Sequence, residues 1–328
     1  MLRLYTQAQA VERINRLSSE ERSFIFIINY AQNGSYIEEV GEVDASSVRY
    51  NFNGFANYKE SAHPLAKEIE WQVHPQSFAS YKRSFDGVWN QIHAGNSFLT
   101  NLTVKTPVTT NLSLEDIFFH SKAMYKLWVK DAFVVFSPEI FVRIQEGRIS
   151  SYPMKGTLDA SLPLAEQQLL NDPKEAAEHA TIVDLIRNDL SIVSSEVTVD
   201  RYRYTDTLQT HSGPILQTSS KISGRLPDDY PARLGDILFQ LLPAGSITGA
   251  PKRKTVEIIA HAEDYDRGFY TGITGYFDGR NLDSAVMIRF IEQQAGALFF
   301  KSGGGITCKS EAESEYNEMI QKIYVPIY

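Results

Sequence analysis

The chain has almost no cysteine: Cys308 is the only one among 328 residues. No internal disulfide can form, and a reducing compartment is the simpler setting. One thiol cannot build a cysteine-based zinc site. Without a base and an orienting partner, Cys308 reads as a buried or bystander side chain. Positive charge is also scarce. There are 32 Lys and Arg against 40 Asp and Glu, a net charge of −8. Phosphate backbones require clustered basic residues, so a nucleic-acid partner is not expected. The longest basic cluster, Lys252-Arg253-Lys254, falls in an expected helix and reads as a solvated face. Long apolar runs are missing too. Nothing approaches the roughly 20 residues needed to cross a bilayer. Met1-Leu2-Arg3-Leu4 leads into a polar helical stretch from Gln7 to Arg22 that has no secretory apolar core. The expectation is a cytoplasmic protein with no membrane partner.

No linker rich in Pro, Gly or Ser divides the chain, and no repeat stands out, so it reads as one compact unit. An apolar share of 43% suffices for a substantial core. Ser23-Phe24-Ile25-Phe26-Ile27-Ile28-Asn29 is too short and too β-branched for a helix and reads as a buried strand. Phe78, Tyr81, Phe85, Val88, Trp89 and Ile92 recur at helical spacing, with Ser77 as N-cap and Gly95 as stop. Phe98 to Lys105 is strand-like. Ser113 and Asp116 frame another helix start. Phe133 to Phe136, Ile140 to Ile144 and Ile149 to Tyr152 read as strands, the last two joined across Glu146-Gly147. A helix from about Lys174 to Leu190 has a polar start and a second half suited to burial. Pro251 suits the first turn of a helix. Phe269 to Phe277, Ala285 to Ile291 and Leu298 to Lys301 add strands, and a helix from about Glu311 to Ile323 closes the chain. Regular βαβα alternation is absent, which favours α+β with largely antiparallel sheets.

Two segments share one acidic pattern, Glu175-x-x-Glu178 and Glu315-x-x-Glu318. Helical residues three apart lie on one face, so each pair can aim two carboxylates at one point. Glu311, Glu315, Glu318 and Lys322 fall on one stripe by the same spacing. Magnesium takes oxygen ligands, often one or two carboxylates with water and substrate oxygens. Two such helices could therefore hold one Mg²⁺ between them, although exposed Glu is the commoner fate of a single pair. Ser302-Gly303-Gly304-Gly305-Ile306 precedes the second acidic helix, and glycine there lets backbone amides approach an anion. Gly272 and Gly275, inside an apparent strand, suggest close approach of a ligand or another backbone.

The combination is more specific than its parts. Ser137-Pro138-Glu139, Pro153-Met154-Lys155-Gly156-Thr157, Ile182 to Leu190, Pro243 to Lys252, Tyr270-Thr271-Gly272-Ile273-Thr274-Gly275 and Ser302 to Gly305 occur in this order. In this the chain resembles the chorismate-utilising enzymes: anthranilate and aminodeoxychorismate synthase component I, and the isochorismate and salicylate synthases. The resemblance runs from about Phe78 to Lys322, roughly three-quarters of the chain. It implies a single large domain over 1–328. The core would be a two-layered, mostly antiparallel β-sandwich flanked by helices, with a short N-terminal extension (about 1–75) packed onto it.

Carried over by residue, the resemblance implies Glu178 and Glu318 as magnesium ligands, with Glu175 and Glu315 as close or water-mediated neighbours. It implies Lys322, Gly304 and Gly305 around the ring carboxylate of chorismate. Arg289 and Tyr270 would grip the enolpyruvyl carboxylate, and Ser246 joins the substrate-binding set. A dianionic substrate nearing an acidic protein needs a local reversal of charge, which Mg²⁺, Arg289 and Lys322 can supply.

Lys155 separates the members of the family. Anthranilate and isochorismate synthases resemble one another in carrying a small residue there, whereas aminodeoxychorismate synthases (para-aminobenzoate synthases) commonly carry Lys. The resemblance therefore implies aminodeoxychorismate synthase component I. Lys155 would attack ring carbon 2, and Glu139 would act as general acid and base on the departing 4-hydroxyl. Leu99 fills the place where water-adding relatives have a basic lysine, which disfavours isochorismate and salicylate synthesis. Gln217 stands where many relatives have His, and His211 nearby is a candidate substitute. No Leu-Leu-Glu-Ser element points to tryptophan feedback. The sequence also shows no amidotransferase motif, so ammonia would come from solution or from a separate glutamine amidotransferase subunit. Anthranilate synthase component I and a non-catalytic chorismate- or glutaminase-binding subunit remain the alternatives.

Overall fold

The computed structural model describes residues 2–59, 68–210 and 213–327. Its architecture follows from strands that are apolar on both sides. Phe24–Ile28 is buried at every position. Phe24, Phe26 and Ile28 enter one apolar cluster, and Ile25 and Ile27 another, as the two-residue period of a strand requires. Phe133–Ser137 behaves alike, with Val134 and Phe136 on one side and Phe133 and Val135 on the other. Strands of this kind need a covering layer on each face.

The result is an α+β fold of two antiparallel sheets packed face to face, with helices outside them. In the first sheet the order is Leu4–Tyr5, Ser35–Glu39, Phe24–Ile28, Ile273–Phe277, Leu282–Val286, Ile140–Gln145, Arg148–Ser151, Gly213–Arg225 and Met154–Asp159, with Ser195–Thr210 also paired to Gly213–Arg225. In the second it is Gly249–Ala250, Leu99–Thr110, Ala297–Ile306, Phe290–Gln294, Phe133–Ser137, Tyr125–Val129, Val48–Phe52 and Phe55–Ala56, with Trp71–Val73 also on Leu99–Thr110. One apolar cluster fills the space between the sheets. A second joins the first sheet to helices Gln7–Ser19, Pro173–Val193 and Leu234–Leu241. A third joins the second sheet to helices Phe78–His93, Leu114–His120, Lys252–Ala262 and Ala312–Gln321.

Helix starts follow local chemistry. Ser77 accepts from the Ser80 amide, and Ser113 and Asp116 complete a capping box. Asp172 accepts from the amides of Lys174 and Glu175 ahead of Pro173–Val193.

Five expectations change. The stretch expected as an N-terminal extension supplies strands to both sheets: Phe24–Ile28 is an interior strand of the first, and Val48–Phe52 pairs with Tyr125–Val129 in the second. Phe269 to Gly272 is not strand, because Thr271 turns into the left-handed region at φ +61°. The glycine run is itself strand, part of Ala297–Ile306. Lys252 is not a solvated cation: it pairs at 2.9 Å with Asp189, whose side chain is 8% exposed. Gly272 and Gly275 do meet another backbone, the carbonyls of Ile28 and Asp283.

The expected strand from Ala285 to Ile291 is two strands in different sheets. Leu282–Val286 belongs to the first and Phe290–Gln294 to the second, with Met287, Ile288 and Arg289 between them. Phe133–Ser137 and Ile140–Gln145 make the opposite passage through Pro138 and Glu139. The two passages are bonded to each other. The Phe136 amide donates to the Arg289 carbonyl and the Val286 amide to the Glu139 carbonyl, each at 3.1 Å.

A buried ion pair ties the Pro243–Lys252 loop to this frame. The Arg267 and Glu263 side chains are 2% and 3% exposed and 2.6 Å apart. Arg267 also donates to the carbonyls of Ile247 and Asn101, at 3.0 and 2.7 Å. Glu263 takes the amide and hydroxyl of Thr103. Removing one partner strands the other charge in the interior. Glu263→Ala should therefore cost about 3–5 kcal/mol in urea unfolding; an unchanged midpoint would contradict this account of the loop anchor.

Candidate active site

The helix Pro173–Val193 carries Glu175 and Glu178 in its first turns, and the strand Met154–Asp159 carries Lys155 beside them. The Lys155 ammonium lies 2.8 Å from Oε2 of Glu178. Burial works against this ammonium. The hydrogen bond and charge of Glu178, and the charges of Glu318 and Glu175, outweigh burial and raise its pKa. Glu318 comes from the other acidic helix, Ala312–Gln321, and Glu315 of that helix also feels Lys155. Glu178 thus touches the amine, and the charges of the other three glutamates reach it.

The geometry of Gly156 permits this approach. Its φ is +84°, and a Cβ there would stand 2.6 Å from Oε2 of Glu175, so any side chain would collide with the carboxylate. Burial and the charge of Glu178 raise the pKa of Glu175. Burial also raises Glu315, against a hydrogen bond from Ser310. For Glu318, burial is outweighed by Lys322, 2.7 Å away, and its pKa falls.

Lys322 caps the end of the second acidic helix and also donates to the Gly303 carbonyl at 3.1 Å. A methyl group on Gly304 would stand 3.4 Å from Oε2 of Glu315 and 3.8 Å from Nζ of Lys322. The glycine strand therefore forms a wall of the same cleft. A Cβ on Gly305 would lie 2.9 Å from Cδ1 of Leu99, so an apolar side chain covers that wall.

Glu139 and Arg289 sit on the two passages between sheets. Arg289 has φ +53°, uncommon for a residue with a side chain. Its guanidinium lies 5.3 Å from the centre of the Tyr324 ring. Burial raises the Glu139 pKa, opposed by a hydrogen bond from Ser246 and the charge of Arg289. The Ser246 hydroxyl donates to Oε1 of Glu139. Tyr270 is 4% exposed, and burial raises its pKa, with the charges of Arg267 and Glu263 acting on its hydroxyl ahead of those of Arg289 and Glu139. The expected residues thus form two groups, the glutamates with Lys155 and Lys322, and Glu139 with Ser246, Arg289 and Tyr270.

Gln217 faces Thr157 and Asp206 across neighbouring strands. His211 lies outside the described residues, and Cys308 is free and exposed. Sequence spacing did not reveal the direct Lys155–Glu178 contact, the Asp189–Lys252 pair or the Arg267 anchor. Their partners are far apart in the chain or outside any helix, so no local period marks them.

The sequence matches the chorismate binding enzyme family over residues 7–327. The chain belongs to that family. It is 49% identical over 317 residues, 97% of this chain and 98% of the relative, to an uncharacterised PabA-like protein of Pasteurella multocida. It is 31% identical over 268 residues to aminodeoxychorismate synthase component 1 of Klebsiella aerogenes, across 77% of this chain and 58% of that one. The solved anthranilate synthase component I of Streptococcus pneumoniae superposes with a TM-score of 0.67 at 26% identity, over 78% of this chain and 59% of that one. Within this chorismate-binding enzyme, no helix among the described residues is long and apolar enough to cross a membrane.

Because burial raises its pKa, Glu139 holds its proton to higher pH in the folded chain than in the unfolded one. That contribution to stability is complete below the ordinary glutamate range and is lost as pH rises through the folded value. Glu139→Gln cannot ionise. It should melt above the wild type at neutral pH, with the difference vanishing toward about pH 4. Melting curves from acid to neutral pH check this, and a constant difference would contradict it.

Proposed function

We propose that this chain is aminodeoxychorismate synthase component I. It would convert chorismate and ammonia to 4-amino-4-deoxychorismate and water, in the synthesis of 4-aminobenzoate for folate. One observation carries the reading: a primary amine, Lys155, stands 2.8 Å from Glu178 and within reach of the charges of Glu175 and Glu318. A relative that held chorismate for attack by a diffusible nucleophile would have no need of an amine there.

The donor set suits magnesium. Glu178 meets the Lys155 ammonium at 2.8 Å, and the charges of Glu175, Glu318 and Glu315 reach it. Among the described residues no group of three or more His, Cys, Asp or Glu side chains is placed to hold a metal ion by itself. Magnesium takes one or two carboxylates and completes its shell with water and substrate oxygens. Glu178 and Glu318 would hold it, with Glu175 and Glu315 beside them, and the ion would supply positive charge for the ring carboxylate. Lys322 and the amides of Gly304 and Gly305 would share that carboxylate, and Arg289 and Tyr270 would take the enolpyruvyl one.

Chemistry then falls to Lys155 and Glu139. With the ammonium proton of Lys155 released to solvent as magnesium takes its place among the carboxylates, the neutral amine would form a bond to ring carbon 2, and each ring double bond moves one position. The bond from carbon 4 to oxygen breaks, and the hydroxyl leaves as water with the Glu139 proton. Ammonia next bonds to carbon 4, the double bonds return, and the bond from carbon 2 to Lys155 breaks with its electron pair on the amine. Glu139 recovers a proton from the new ammonium. Its raised pKa suits it to the acid role. Ammonia would come from solution or from a separate glutamine amidotransferase subunit. Leu99 beside Gly305 offers no base to activate water.

Chorismate, Mg²⁺ and ammonium should give 4-amino-4-deoxychorismate by mass spectrometry. Lys155→Ala should lower turnover by at least about 10³-fold, and Glu139→Gln by about 10²–10⁴-fold. Anthranilate and pyruvate from the unaltered protein would replace this reading with anthranilate synthase. Chorismate binding without any product would replace it with a non-catalytic subunit.

A further inference from the structure

Behind Glu139 lies a small cavity of about 20 Å³. Its lining is mostly apolar, Val142 and Ala244 included, with polar side chains from Glu139, Ser246, Ser151 and Asp189. Lys155, the four glutamates of the cluster and Arg289 are not in its walls. It therefore extends from the general-acid side of the site into the core beneath the first sheet. About 10–15 Å³ is the least that admits a water-sized molecule, and such a molecule also needs polar partners. Both conditions are met, since Glu139 and Asp189 bring carboxylates and Ser151 and Ser246 bring hydroxyls. One wall is fixed by the Asp189–Lys252 pair at 2.9 Å, with Lys252 also donating to the Leu241 carbonyl at 2.7 Å.

We infer that this cavity is the binding site for the reacting ammonia, a neutral molecule of the size of water. The inference rests on the function proposed above. In that reaction the second displacement retraces the first, with nitrogen in place of oxygen. The nitrogen must arrive where the hydroxyl departed, and that place is beside Glu139. Ammonia held behind Glu139 bonds to carbon 4 as the bond from carbon 2 to Lys155 breaks. The new C4–NH₃⁺ group gives one proton to the Glu139 carboxylate, which had given its own to the departing hydroxyl. Glu139 ends in its starting state, and the balance is chorismate plus ammonia to aminodeoxychorismate plus water. A space of about 20 Å³ suits a molecule the size of water or ammonia.

The test compares nucleophile kinetics on the full chain. Filling the cavity with Ala244→Val or Val142→Ile should raise the KM for ammonium about tenfold or more, the usual effect of a misplaced methylene on a small pocket. The KM for chorismate and the melting temperature should stay at their wild-type values. Enlarging it with Val142→Ala should raise methylamine use relative to ammonia by a similar factor, which decides the matter if the filled variants fail to fold. Folded variants with unchanged ammonium KM and unchanged amine preference would overturn the cavity assignment alone. A wild type that makes no aminodeoxychorismate from ammonium would overturn the proposed function, and the cavity assignment with it.

Discussion

The molecule depends on two chain passages from one sheet to the other, side by side and hydrogen-bonded together. A strand that must leave one sheet and enter the next breaks its own pleat, so the residues at the break lose the strict in-and-out alternation of a strand. Glu139 stands at one break and Arg289 at the other, the latter in the left-handed backbone region. Sparsely populated backbone conformations of this kind persist only where the surroundings fix them. Here the fixing comes from the paired strands on either side, which continue the same two partners from one sheet into the other. An acid and a cation are thereby held at the edge of a packed interior without needing a helix or a flexible loop to carry them.

The second group is arranged differently. Its glutamates ride on two helices far apart in the sequence, Pro173–Val193 and Ala312–Gln321, each packed on a different sheet. What joins the helices electrostatically is Lys155, held opposite Glu178 by a strand whose register shifts between Met154 and Thr157. Four carboxylates near one another repel, and burial raises the pKa of two of them. Lys155 and Lys322 offset that repulsion in the protein as it stands. Under the proposed function, magnesium and the substrate carboxylates would redistribute these charges and free the amine.

Much of the fold was legible locally. Phe24–Ile28 and Phe133–Ser137 are apolar at consecutive positions, which marks strands covered on both faces. Ser77 and Ser113 announce helix starts because their side chains satisfy amides a few residues on. The stretch from Ala285 to Ile291 was misleading. It is apolar enough to continue as one strand, and only the competition between two sheets breaks it at Arg289. Lys252 misled in the same way. In sequence it belongs to a basic cluster that solvates readily, and its partner Asp189 lies on another helix.

The sequence by itself determined the α+β class, the strands buried on both faces, the helix caps and the two acidic pairs, because each is written in the spacing of neighbouring residues. Its ordered motifs also indicated the chorismate-binding family. It took packing in three dimensions to bring Lys155 to Glu178, to lock Arg267 between distant loops, and to leave a small, mostly apolar cavity behind Glu139. Those facts depend on which surfaces pack together across long sequence separations, and packing of that kind leaves no period in the chain.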